Sequence, residues 1–376
     1  MPPKPPSPPP VPTAPPPPIG GRYRLLDVGG RGGMAVVWRA EQTGPRGFSR
    51  HVAVKQMHPH LATDAYYRDM FAEEARVMAA ISDANVPQIH EFVEERGQLY
   101  LVMEWIDGID LATYIRYVRD IEERPPRWDH VGAVGVGVLR GLAAAHERRG
   151  PDNTPHPVVH RDVSPHNVLI SQKGIAKLID FGLSLADDRD AEDTDPGLAK
   201  GKLPYLCPEI VRGGRATPQS DQFAVGATLW EALVGHKAFE GDTQFETYSR
   251  LANAQFTPLE QIRPDLPPAM IALVHRAMAL RPEDRFPTSR EMARQLGRML
   301  ASSDAVEDLY VSLATMVEKA RHGLRIGRRT MDFSVAEPIE EDLSGLTELL
   351  PVDIEASEKG DRGWVPSILD RIRGKG

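Results

Sequence analysis

Three short clusters of residues in this 376-residue chain have the types and spacing to do chemistry. The first is Gly30-Arg31-Gly32-Gly33-Met34-Ala35-Val36-Val37. Glycines without a Cβ let backbone N–H groups approach phosphate oxygens closely. A strand is predicted on each side, so this is not the strand–glycine–helix arrangement of dinucleotide folds. The second cluster is Val52-Ala53-Val54-Lys55. A lysine in an apolar strand is costly unless it is paired. Glu74, on the inward side of a predicted helix, is the candidate partner. A lysine held this way can bridge a carboxylate and two phosphates. The third is His160-Arg161-Asp162-Val163-Ser164-Pro165-His166-Asn167, followed by Asp180-Phe181-Gly182. Asp162 can orient a hydroxyl nucleophile and accept its proton. Asn167 and Asp180 offer the oxygen ligands that magnesium prefers. Held phosphates, a metal and a positioned hydroxyl are the parts of phosphoryl transfer.

Those residues need a scaffold. Tyr23 to Val28 and Val36 to Ala40 flank the glycines and predict a strand hairpin. His51 to Gln56, Ile89 to Val93 and Gln98 to Met103 predict three more strands. Asp64 to Ile81 has helical spacing, with Phe71, Ala75 and Met78 on one face. Beyond Trp105 the pattern turns helical, over Trp128–Arg148, Ser220–Val234, Ala269–Ala279 and Ser289–Leu300. A strand-rich first lobe and a helical second lobe predict an α+β protein with a cleft between them.

The ends read differently. Twelve of the first eighteen residues are proline, so residues 1–20 are expected to be a disordered polyproline arm, a tether or a docking ligand. Residues 302–376 are expected to be a tail, partly helical or disordered. Asp304 to His322 has helical spacing there. Arg328-Arg329-Thr330 resembles a phosphorylation site, and Trp364 to Ile372 would form an apolar stripe on a helix.

Composition narrows the class. Forty-five basic against 53 acidic residues give −8, which argues against a nucleic-acid partner. The single cysteine, Cys207, excludes an intrachain disulfide and a cysteine-built metal centre, and suits a reducing cytoplasm. No run of eighteen apolar residues occurs, so no membrane span is expected.

Taken together and in this order, the motifs resemble those of the eukaryotic-like (Hanks-type) serine/threonine protein kinases of bacteria. The resemblance covers residues 21–301. It implies a five-stranded antiparallel N-lobe with one main helix (21–103), a hinge (104–107) and a mostly helical C-lobe (108–301). It implies ATP-dependent phosphorylation of serine and threonine hydroxyls on protein substrates, autophosphorylation included, with ATP and Mg2+. By that likeness, Lys55, Gly30, Arg31, Gly32, Gly33, Met34 and Ala35 hold the nucleotide's phosphate end, with Glu74 fixing Lys55, and Gly29 lies at the adenine. Val37, Ala53 and Leu169 enclose adenine. Met103 resembles the gatekeeper, and Glu104 to Ile106 the adenine-binding hinge. Asp162 orients the acceptor, and Asn167 and Asp180 hold the metal. Cys207-Pro208-Glu209 resembles the APE motif, with Glu209 pairing Arg285. Asp221 resembles the aspartate that anchors the catalytic-loop backbone. His160 and Cys207 are expected to be packed in the core, and Asp110 could receive a substrate arginine.

Three positions depart from the family pattern. Gly29 stands where Leu or Ile usually covers adenine, and Ala35 replaces the third glycine. Ser164 stands where a lysine usually holds the γ-phosphate. Lys202 occupies a position where the family usually has threonine, so the expectation is an exchange in which Lys202 reaches back toward Asp162. Thr194, amid acidic residues, is the only threonine from Asp180 to Glu209. The acids there are weighed as a partial substitute for a phosphate read by Arg161. The alternative weighed is a catalytically weak pseudokinase scaffold that binds partners through the proline arm and C-terminal tail. A small-molecule kinase of the aminoglycoside type shares the Asp/Asn logic but lacks an APE-like segment.

Overall fold

Strand β1 (Tyr23–Arg31) turns at the glycine cluster into β2 (Ala35–Thr43), and a second turn leads to β3 (Ser49–Met57). Strands β4 (Ile89–Glu95) and β5 (Gln98–Glu104) are joined through Arg96 and Gly97. Both take positive φ, 53° and 76°, the twist that a two-residue hairpin turn needs. A computed structural model describes residues 17–150, 152–181, 203–301 and 306–326. The described chain divides into two units, the first comprising residues 17–75 and 89–105 and the second the rest.

In the first unit all five strands are antiparallel, in the order β1-β2-β3-β5-β4. Register decides what each face does. Val37 pairs with Lys55, Lys55 with Leu101, and Ala53 with Met103, so these five residues share one face. Helix α1 (Ala65–Ala79) lies on that face. Its Phe71 and Ala75 pack with Ala35, Met57, Leu99 and Leu101, and the predicted inward stripe is buried through Met78. The opposite face gathers Tyr23, Ala40, Val52, Val54 and Val102. Ile19 joins them, although the sequence reading places it in the arm. Its backbone bridges Tyr23, and the Gly20 N–H donates to Glu95 Oε2 at 2.8 Å.

The second unit is mostly helical. Its small sheet, in the order β6 (Gly108–Asp110), β7 (Val168–Ser171), β8 (Ala176–Leu178), carries strands too short for any periodic signal. Helix α2 (Leu111–Asp120) was also unforeseen; Asp110 caps it, its Oδ1 accepting the Thr113 N–H at 2.6 Å. Helix α3 (Trp128–His146) is apolar almost all round and correspondingly buried. Glycine is unfavourable in a helix, but here it permits close packing. A Cβ on Gly135 would lie 2.9 Å from Leu296 and 3.0 Å from Leu229. The helices Pro218–Val234, Pro268–Ala277 and Ser289–Ala301 follow close to their predicted spans. No helix among the described residues is long and apolar enough to cross a membrane.

Helix Val306–Ile326, within the stretch read as tail, is packed into the second unit against α2, α3, β6 and β7. Leu309, Leu313, Met316, Val317 and Ala320 are buried. Gly174, at φ 72°, lets the Tyr310 carbonyl come so close that a Cβ would lie 2.6 Å from its oxygen. Buried His130 joins three helices: its Nδ1 hydrogen-bonds the Tyr114 hydroxyl at 2.9 Å and its Nε2 the Ser312 hydroxyl at 3.0 Å. Arg321 meets Asp107 at 2.6 Å.

Two outcomes follow. Leu313→Ala should cost about 2–5 kcal/mol, seen as a lowered urea midpoint. Burial, only partly opposed by Asp129, lowers His130 to about 4. The unfolded chain takes up this proton near pH 6.5. Stability from neutral His130 is therefore complete above that pH and is lost as pH falls toward about 4. Urea melts of His130→Gln should show less loss than wild type across that window.

Candidate active site

In the first unit the glycine hairpin differs from its prediction at one end. β1 continues through Gly29 and Gly30, with a bulge between Val28 and Gly30, and the turn begins only after Arg31. At its tip the Gly32 N–H donates to the Ala35 carbonyl at 2.8 Å. His58, which the sequence reading passed over, holds this tip twice. Its backbone N–H donates to the Met34 carbonyl and its ring Nε2 to the Gly32 carbonyl, both at 2.9 Å. Arg31, Gly32 and Gly33 are exposed. Exposed, side-chain-poor backbone suits contact with a phosphate chain.

Lys55 comes up from β3 on the face covered by α1, and its Nζ meets Glu74 Oε1 at 2.6 Å. Their side chains are only 12% and 14% exposed, so each relieves the other's desolvation. Val37 lies directly opposite Lys55, and Ala53 lies two residues earlier on the same face. Met103 and Glu104 end β5 opposite Ala53 and Val52. Trp105 follows, and its indole lies against Gly29.

In the second unit the loop His160–Asn167 is fastened from beneath. Asp221, on the Pro218–Val234 helix and 1% exposed, accepts the His160 N–H at 2.7 Å and the Arg161 N–H at 2.8 Å. His146 Nε2 supplies a third hydrogen bond at 2.7 Å. Arg161 has φ 67°, a left-handed conformation that a non-glycine residue keeps only when its surroundings hold it. Asp180 has φ 53°. Fully buried His160 donates from Nε2 to the Ile179 carbonyl at 3.0 Å, and its Nδ1 accepts the Asp162 N–H at 3.2 Å. Burial also lowers its pKa, consistent with a neutral structural imidazole.

Asp162 and Asn167 are brought together directly. The amide Nδ2 donates to both the carbonyl and the Oδ2 of Asp162, each at 2.8 Å. Asn167 is held further by its N–H to the Ser164 carbonyl at 3.0 Å and by its carbonyl accepting the Ile179 N–H at 2.9 Å. With Nδ2 engaged, Oδ1 is the atom with which Asn167 can face a cation. Among the described residues no group of three His, Cys, Asp or Glu is placed to hold an ion. A magnesium ion here would therefore draw on phosphate oxygens, as it commonly does. Ser164 is buried. Leu169 sits in β7, paired with Asp110 and Lys177, and Ile106 is half-buried. Asp110, read as a receiver of a substrate arginine, is instead the buried cap of α2.

A family model described as "Protein kinase domain" matches residues 23–296. The chain belongs to the protein kinase family. It is 36% identical over 281 residues to the tyrosine-protein kinase MasK of Myxococcus xanthus, covering 75% of this chain and 43% of that protein. It is 34% identical over 284 residues to the serine/threonine-protein kinase PknE of Mycobacterium tuberculosis, covering 76% and 47%. The chain thus spans less than half the length of these relatives. Among solved structures, the PknI kinase domain of Mycobacterium tuberculosis superposes with a TM-score of 0.53 at 26% identity, covering 73% of this chain and 95% of that one. The fold is that of a protein kinase.

Within this kinase domain Cys207-Pro208-Glu209 is anchored as expected. Glu209 and Arg285 form a two-pronged pair, Nη1–Oε1 at 2.7 Å and Nη2–Oε2 at 2.8 Å. Arg285 is wholly buried and also lies over the Phe223 ring. Burial pushes the Glu209 carboxyl up, but the Arg285 guanidinium more than offsets it, and the net position is below the usual range. Burial pushes the Cys207 thiol up to about 12, the behaviour of a packed residue and not of a reactive thiolate. Lys202, Gly182, Thr194, Thr330 and the Trp364–Ile372 stripe lie outside the described residues.

Glu209→Ala would leave the Arg285 charge buried without its carboxylate. It should destabilise the protein by about 3–5 kcal/mol in urea unfolding. The reverse change, Arg285→Met, should cost a comparable amount, because Glu209 is then the stranded charge.

Proposed function

We propose that this chain transfers the γ-phosphoryl group of ATP to serine and threonine hydroxyls of proteins, itself included. The observation that carries the reading is the Asp162–Asn167 pair on a loop pinned by Asp221. A carboxylate oriented in this way can accept the proton of an attacking hydroxyl. On the first unit, the exposed backbone at 31–33 and the Lys55–Glu74 pair suit the holding of phosphates. Val37, Ala53, Met103, Glu104 and Ile106, with Leu169, are the proposed contacts of the base. Asn167 Oδ1 and Asp180 would hold Mg2+, which when bound neutralises charge on the phosphates. Ser164 leaves the loop without its usual cation, so slow transfer is expected of this loop alone.

The acceptor class rests on the likeness of the catalytic loop to serine/threonine kinases and on relatives such as PknE and PknH named as such. The substrates are accordingly proteins. A cytoplasmic setting belongs to the same proposal, supported by the need for ATP and by one unpaired, buried cysteine.

The purified protein should be incubated with radiolabelled ATP, Mg2+ and myelin basic protein, beside Asp162→Asn. Label on phosphoserine and phosphothreonine, reduced at least about 100-fold in the variant, is the expected result. Label confined to phosphotyrosine would move the acceptor class to that named for MasK. No label above the Asp162→Asn control would leave a partner-binding scaffold.

A further inference from the structure

The family comparison makes Gly29 a deficiency, a position that lacks the apolar side chain expected over the base. The structure shows what fills the space. A Cβ built on Gly29 would sit 3.0 Å from Trp105 Cζ3 and 3.1 Å from Cη2. The six-membered ring of the indole therefore stands where a side chain at position 29 would begin. The Val37 carbonyl is the next nearest atom, at 3.5 Å.

This contact is not a local accident of neighbouring strands. Gly29 is on β1, whereas Trp105 follows β5, and β2 and β3 lie between them. Three strand steps of about 4.8 Å would separate them on a flat sheet, farther than an indole reaches. The sheet must curl here, and the bulge at Gly29 is a device that curls strands. Leu101 and Met103 alternate onto the face that carries Ala53, Lys55 and Val37, and residue 105 continues that alternation. The indole thus reaches β1 from the residue that follows β5, within the proposed hinge.

We propose that Trp105 supplies the apolar wall of the base site that residue 29 does not, so that Gly29 and Trp105 act as one specificity-determining pair. The inference rests on the nucleotide reading above and gives the Trp105 side chain, within the hinge, a role that reading does not. A flat π-face in place of a branched aliphatic side chain favours a flat aromatic heterocycle such as a purine. Glycine at 29 is then a requirement: any larger residue displaces the indole.

The test is a double-mutant cycle on the full chain, with MgATP affinity measured by calorimetry and folding checked by thermal melting. Gly29→Leu and Trp105→Ala should each weaken binding roughly tenfold, the first by displacing the ring and the second by removing it. The double variant should return to within about threefold of wild type, because leucine then occupies the vacated space. If the two losses multiply to about 100-fold, or if Trp105→Ala binds as wild type does, the inference is overturned while the nucleotide reading stands. If wild type itself takes up no MgATP, the nucleotide reading falls and takes the inference with it. Should Gly29→Leu fail to fold, Gly29→Ala carries that arm. Its methyl group meets the ring at 3.0 Å, and the expected loss is smaller but still relieved by Trp105→Ala.

Discussion

The buried carboxylate of Asp221 holds the loop that presents Asp162 and Asn167. An ionised group with 1% exposure is tolerable only when its oxygens are satisfied, and here three N–H donors converge on it. Two of them are consecutive backbone amides, of His160 and Arg161. Presenting both to one carboxylate requires the left-handed turn at Arg161, a conformation worth of order 1–3 kcal/mol of strain. Strain and buried charge therefore stabilise one another, and neither persists alone. Everything downstream inherits this geometry: His160 faces Ile179, Asp162 faces Asn167, and the loop returns to β7 in a fixed register.

The first unit solves a different problem with sheet alternation. Lys55 must be charged yet nearly dry, and β3 has one face toward α1 and one toward the Tyr23 cluster. Val52 and Val54 take the second face, leaving Ala53 and Lys55 for the first. A slip of one residue would send Lys55 into the apolar cluster and strand Glu74. The register is held by nine consecutive pairs between β2 and β3, from Ala35 with Met57 to Thr43 with Ser49, so the lysine cannot wander along the sheet.

These two devices explain what the sequence reveals and what it hides. Lys55, Glu74, Asp162, Asn167, Glu209 and Arg285 were legible because their chemistry tolerates few other residues, and their spacing follows from the elements between them. Long periodic segments, α1 and α3 among them, were legible for the same reason. Strands of three or four residues such as β6 and β8 have no period to read. The helix at 306–326 was visible as a pattern, but its docking depends on His130 and Gly174, residues remote in sequence that gave no signal of their own. His58 was missed, and Trp105 was read only as part of the hinge, because their contacts run across strands. Only the glycine at position 29, odd by family pattern, pointed toward the second of them.

The loop's charges raise one last point about how transfer would proceed. Asp221 accepts backbone and imidazole N–H groups, Glu209 a guanidinium and a hydroxyl, and Asp162 an amide. The Asn167 amide orients Asp162, and Ser164 is a buried neutral side chain on the same loop. Ser164 itself offers no cation to a γ-phosphoryl group. Under the proposed function Asp162 would take the hydroxyl proton, and Lys55, held by Glu74, is a cation suited to the phosphate end.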